Sequence, residues 1–145
     1  MMKRVATVIT LVAAIVATSA WRQAATKDQA DIRAAIDNYF KGHATGDGAN
    51  FAKVFHPESK LFWVGADGAL MQRSSADYIK GASGKPAADE AQRKRRIESI
   101  DVAGNAAMVK VVLDYPATTF TDYMSMLKIN GEWKIVNKTY VSQRK

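Results

Sequence analysis

Cysteine is absent from the 145 residues. That excludes disulfides, and it excludes a lipid-bearing cysteine near the N-terminus, so the fold must rely on its core alone. Histidine is scarce: His43 and His56 stand far apart, and with no thiolate to join them they do not make a metal-ligand set. No serine sits in a nucleophile elbow, and the glycines fall in turns rather than in a phosphate-binding loop. No cofactor is therefore expected. The longest apolar run, Val5 to Ala17, is shorter than the ~20 residues that a spanning helix needs. Charge of one sign is in mild excess, with a formal net charge of +7. The densest run, Arg93-Lys94-Arg95-Arg96, has no interleaved aromatics and no second patch beside it, so a nucleic-acid partner is not expected.

The first twenty residues have the form of a targeting segment. Lys3 and Arg4 supply a positive start, the apolar run follows, and Thr18-Ser19-Ala20 offers small residues for a peptidase. Residues 1–20 are expected to be a cleavable secretory signal, with cleavage after Ala20 or, as second choice, after Ala25. The alternative is an uncleaved N-terminal anchor. Cleavage would leave residues 21–145 as a single domain of the periplasm or the exterior, with no stable membrane anchor.

From Ala30 to Lys41, Ile32, Ala35, Ile36, Tyr39 and Phe40 share one stripe of a helix. Asp28 is expected to cap it, and Gly42 and Gly46 to end it. That boundary places His43 past the stripe, exposed. A second helix is expected from Ala49 to Phe55, stopped by Pro57. Leu61 to Val64 and Ala69 to Met71 are strand candidates around an Asp67-Gly68 turn. Ser74 to Asp77 matches a capping box that opens a short third helix. Gly81 to Ala91 is expected to be a mobile loop. Strands follow at Arg96–Val102, Ala107–Tyr115, Thr118–Ile129 and Glu132–Val141. Helices first and strands after predict an α+β class with helices laid on an antiparallel sheet.

Asn130-Gly131 between two alternating runs predicts a hairpin with a two-residue loop. That register sets Ile129 opposite Glu132, Leu127 opposite Lys134 and Tyr123 opposite Lys138. One face then carries Asp122, Met124, Met126, Lys128, Trp133, Ile135, Asn137 and Thr139. Apolar walls with a few polar groups at one end suit a small-molecule pocket. The other face, with Tyr123, Leu127, Ile129, Val136 and Tyr140 among lysines, suits a subunit contact. A one-residue bulge would exchange the faces beyond it.

Three segments carry a family resemblance: NYFKGHATGDGANFAKVFHPESKLFWVGADG at 38–68, RIESIDVAGNAAMVKVVLDY at 96–115 and FTDYMSMLKINGEWKIVNKTY at 120–140. Together they resemble the nuclear transport factor 2-like superfamily, and within it the "putative lumazine-binding" group beside the polyketide-cyclase-like proteins. The resemblance implies a cone-shaped roll in which three helices close a strongly curved, mainly antiparallel sheet around a cavity. It also implies homodimers formed through the outer sheet face. The superfamily includes isomerases, dehydratases, cyclases and members without catalysis, so fold does not choose among them.

The expected ligand-binding residues are Tyr39, His56, Trp63, Asp122, Met124, Met126, Trp133 and Asn137. The aromatics and methionines would form the walls, and Asp122, Asn137 and His56 would orient a small-molecule ligand. Tyr39, Trp63 and Trp133 have plain core packing as their alternative. His56 lies in the FHP turn, where anchoring a loop competes with acid–base work. Asp122 competes with a satisfied buried acid. Two rival functions stand beside ligand binding. One is an isomerase, dehydratase or cyclase with Asp122 or His56 as base, and the other is a non-catalytic dimeric scaffold whose own side chains fill the interior.

Overall fold

The computed structural model describes residues 26–145. The signal segment and both cleavage positions lie outside the described residues. Helix α1 is already formed at residue 26 and runs to 45, past the expected end at Gly42. Gly42 is not a terminator. A Cβ there would lie 2.5 Å from the Phe51 ring, so glycine lets the next helix pack against α1. Gly46, with φ of +69°, ends the helix instead. Asp28 does not cap α1: its Oδ1 accepts from Lys128 Nζ at 2.7 Å and from Trp133 Nε1 at 3.3 Å.

Asp47 accepts from the Ala49 N–H and caps α2, Gly48–Val54. Phe55 leaves the helix and opens strand β1, Phe55–Val64. Pro57 sits where β1 slips register against β6, between Phe55 and Lys60. The slip is organised around His56. Its carbonyl accepts from Ser59 Oγ at 2.6 Å and Ser75 Oγ at 3.1 Å, and its Nδ1 accepts from the Glu58 N–H at 3.3 Å. Strand β2, Leu70–Ser74, returns along β1. Ser74 then caps α3, Ser75–Lys80, by accepting from the Asp77 N–H while its hydroxyl donates to the Asp77 carboxylate.

The segment from 81 to 93 is tied down at several points. Gly84 N–H bonds to the Gly46 carbonyl at 2.8 Å, and a 3₁₀ turn spans Glu90–Gln92. Arg95 forks onto Glu90 at 2.6 and 2.7 Å, and Arg93 reaches Asp89 at 2.7 Å. The basic run is therefore partly folded back onto its own chain, both guanidinium groups stacking on the Tyr115 ring.

Strands β3 (Lys94–Ala103), β4 (Ala106–Asp114), β5 (Thr118–Ile129) and β6 (Glu132–Arg144) complete the sheet. Its six strands lie in the order β2-β1-β6-β5-β4-β3. All neighbours are antiparallel except β1 and β6, which run parallel. Ile32, Ile36 and Tyr39 of α1 are fully buried against Val109, Val111, Met124 and Ile135 of the sheet. Complete burial of such a side chain stabilises by about 1.5–3 kcal/mol, and this layer fixes α1 across the inner face. The architecture is α+β, helices on a six-stranded, mostly antiparallel curved sheet.

The β5–β6 hairpin holds the expected register near its turn, where Asn130 has φ of 51° and Gly131 of 86°. Beyond Met126↔Ile135 the register slips, and the next pair is Ser125↔Asn137. Val136 is the extra residue of a β-bulge. Tyr123 consequently faces Thr139 rather than Lys138. Lys138 and Tyr140 move to the inner face, opposite Met124 and Asp122, while Asn137 and Thr139 turn outward with Ser125 and Tyr123.

Candidate functional site

Extending the α1 stripe one turn beyond Tyr39 brings His43 inward, beside Phe51 and Tyr78. The curved sheet, α1 and α3 then leave a cavity of about 230 Å³. Leu61 and Trp63 of β1, Leu113 of β4, Tyr115, and Phe120 of β5 make apolar walls. His43, Arg73, Tyr78, Asp122, Lys138 and Tyr140 add polar groups. A cavity of about 150 Å³ holds benzene, so this one suits a single substituted ring.

At its base lies a buried polar cluster. Tyr39 Oη donates to Asp122 Oδ2 at 2.6 Å. Lys138 Nζ donates to the Tyr39 oxygen at 2.8 Å and to Asp122 Oδ2 at 3.2 Å. Asp122 is fully buried and Lys138 is 4% exposed. Asp122 Oδ1 is buried with no hydrogen-bond partner among the described residues. Leaving a buried acceptor unpaired costs about 1–3 kcal/mol, and more for a charged group. The ammonium also lies near three rings, with Nζ 5.2 Å from the Tyr39 centroid, 5.4 Å from Tyr78 and 4.8 Å from Tyr140.

Burial shapes the protonation of this cluster. It lowers the proton affinity of Lys138 below that of an ordinary lysine, with the Asp122 charge acting in opposition. Burial, reinforced by Asp122, holds the Tyr39 phenol well above its usual range, so the hydroxyl remains a donor. His43 is held well below an ordinary histidine, first by burial and then by the charges of Lys138, Arg95 and Arg93. It is neutral at pH 7, with Nε2 3.0 Å from the Tyr78 hydroxyl. At the mouth, Arg73 stacks over Trp63 at 5.9 Å and makes no salt bridge among the described residues.

Of the residues expected from sequence, Trp63 and Asp122 border the cavity. Tyr39 lies behind its base and acts on it through Asp122. Met124 and Met126 are core residues at 0% and 1% exposure, outside the cavity lining. Trp133 is held at the hairpin's turn end by Asp28, Asn137 faces outward, and His56 organises the slip in β1. The sequence reading omitted Lys138, Tyr140, His43, Tyr78 and Arg73. His43 had a signal in the helical period continued from Tyr39. Lys138 and Tyr140 had none, because a bulge in an alternating strand leaves no local mark.

The fold and this site define an α+β roll with a cavity on the inner face of its sheet. The chain belongs to the family described as "Putative lumazine-binding", which matches residues 27–141, and so to the nuclear transport factor 2-like superfamily. A curated relative, "Aldolase FrzH" of Cladobotryum sp, is 26% identical over 106 residues, covering 72% of this chain and 82% of the relative. An NTF2-like protein of unknown function from Shewanella baltica OS155 superposes with a TM-score of 0.75 at 23% identity, covering 83% of this chain and 97% of that one. Another, from Silicibacter pomeroyi DSS-3, gives a TM-score of 0.71 at 24% identity, over 81% and 98% of the two chains. These solved structures establish the fold.

Proposed function

We propose that this protein binds a small, partly apolar molecule, about one substituted ring in size, in the cavity above Asp122. The observation that carries this reading is the buried Asp122 Oδ1, unpaired among the described residues, on a residue that borders an aromatic-walled cavity. A ligand N–H or O–H would satisfy that oxygen, and the walls would take up the ring. Asp122 and Lys138 cancel in charge, so Arg73 leaves the site net positive. A neutral or anionic ligand fits it better than a cation. The test is native mass spectrometry of the purified protein, followed by denaturation and extraction. A discrete small molecule lost on denaturation, and absent from Asp122→Asn, is the expected result. Wild type and variant retaining the same load would refute the role of Asp122.

A catalytic reading is favoured by one pairing of observations, the acid–phenol–amine cluster at the cavity base and the similarity to a protein named an aldolase. In this reading Asp122 is the general base for proton removal beside a carbonyl. His56, the other candidate base, lies in the β1 slip and does not border the cavity. Loss of turnover with retained affinity in Asp122→Asn would separate this reading from plain binding.

Two further parts of the reading concern setting. The composition of residues 1–20 supports export to the periplasm or exterior, and the intact mass of the exported protein would show the loss of that segment. Met108, Tyr123 and Leu127 lie exposed together on the outer sheet face at 48%, 45% and 39%. They support a homodimer through that face. Light scattering of wild type against Tyr123→Lys would detect it as a halving of mass.

A further inference from the structure

We infer that Lys138 is a nucleophilic amine and that the cavity takes a carbonyl compound, which Lys138 captures as an iminium. The inference rests on the reading of the cavity as a small-molecule site and adds to it a substrate class and a covalent step. Three features carry it. Lys138 is one of the residues that line the cavity. Its acceptors among the described residues, the Tyr39 oxygen and Asp122 Oδ2, occupy two of an ammonium's three donor positions and leave one for a ligand. Asp122 lies 3.2 Å away as a proton acceptor, with a second oxygen that has no hydrogen-bond partner among the described residues.

A purely structural ion pair explains these features poorly. Such a pair gains when the remaining lone pairs and protons are satisfied, and replacing it with apolar residues is often neutral or stabilising. Here one carboxylate oxygen has no partner among the described residues, and the lysine is one of those that line a cavity. Burial also favours the free amine, which is the nucleophilic form.

The step balances as follows. Asp122 takes one proton from the ammonium. The amine lone pair forms a C–N bond to the carbonyl carbon as the C=O π pair moves to oxygen. A second proton passes from nitrogen to that oxygen. The proton held by Asp122 then joins it, the C–O bond breaks and water leaves. One ammonium and one carbonyl become one iminium and one water. Asp122, again a carboxylate, lies beside the iminium and can remove a proton from the adjacent carbon to give an enamine.

The test uses 2,4-pentanedione, small enough for the cavity, which forms a stable enaminone with a free amine and releases one water. Purified protein would be treated at neutral pH, digested and mapped by mass spectrometry, with thermal melts recorded in parallel. Lys138 should be modified faster than the exposed lysines, since a lowered proton affinity leaves more of it as the free amine at neutral pH. Lys138→Arg, which keeps the charge beside Asp122, should lose the fast phase while the exposed lysines react as before. Modification scattered over exposed lysines, with Lys138 spared, would overturn the inference. If the dione raises the melting temperature without an adduct at Lys138, the covalent step fails and the binding reading stands. Neither adduct nor shift would count against both for this ligand class.

Discussion

Replacing Lys138 by Met removes the cation but nearly keeps the volume. The Asp122 carboxylate, fully buried, would then have the Tyr39 hydroxyl as its remaining donor. Breaking a buried pair by removing one partner typically costs about 3–5 kcal/mol. For a domain of this size, about 4 kcal/mol lowers the melting temperature by roughly 15 °C. A double variant sharpens the expectation. Asp122→Asn combined with Lys138→Met should recover about half or more of the loss, since Asn keeps an acceptor for Tyr39 without the charge. Thermal melts and urea unfolding of wild type, single and double variants make the measurement. A single variant within about 1 kcal/mol of wild type, or a double variant as unstable as the single, would refute the account of this cluster.

His43 predicts a pH effect. Its folded-state proton affinity is held well below that of the unfolded chain, so below about pH 6.5 the unfolded state binds the extra proton and stability falls as pH falls. The limiting slope is about 1.4 kcal/mol per pH unit, and urea unfolding of His43→Gln should show a shallower fall than wild type. Gly42→Ala should destabilise by about 1–3 kcal/mol, because its methyl meets the Phe51 ring at 2.5 Å inside a packed layer. Ser74→Ala should cost about 1 kcal/mol by removing the α3 cap. Denaturant midpoints of both variants check these values, and a neutral Gly42→Ala would mean that Phe51 can move aside.

The element order, the capped third helix and the Asn130-Gly131 hairpin were readable because each depends on local chemistry. A helical period, a hydroxyl that accepts from an N–H three residues on, and a turn with positive φ act over a few residues. Boundaries were less secure where distant packing decided them. Gly42 reads as a helix stop, yet it is the contact point for Phe51 of α2, and the helix therefore carries His43 inward. Asp28 reads as a cap, yet it serves Lys128 and Trp133 from the far end of the chain.

The sequence by itself determined the fold class and the place of Asp122 on a buried face. Tertiary structure alone decided the polar partners. Alternation along β6 assigns Asn137 to the inner face and Lys138 to the outer, and one extra residue at Val136 exchanges them. Side chains in a strand alternate with a period of two, so a single slip inverts every assignment beyond it. Where that slip falls depends on how β6 meets both β1 and β5, which no short stretch of sequence specifies. The same event brings Lys138 against Asp122 and Tyr39 and creates the cluster on which the function proposed here depends.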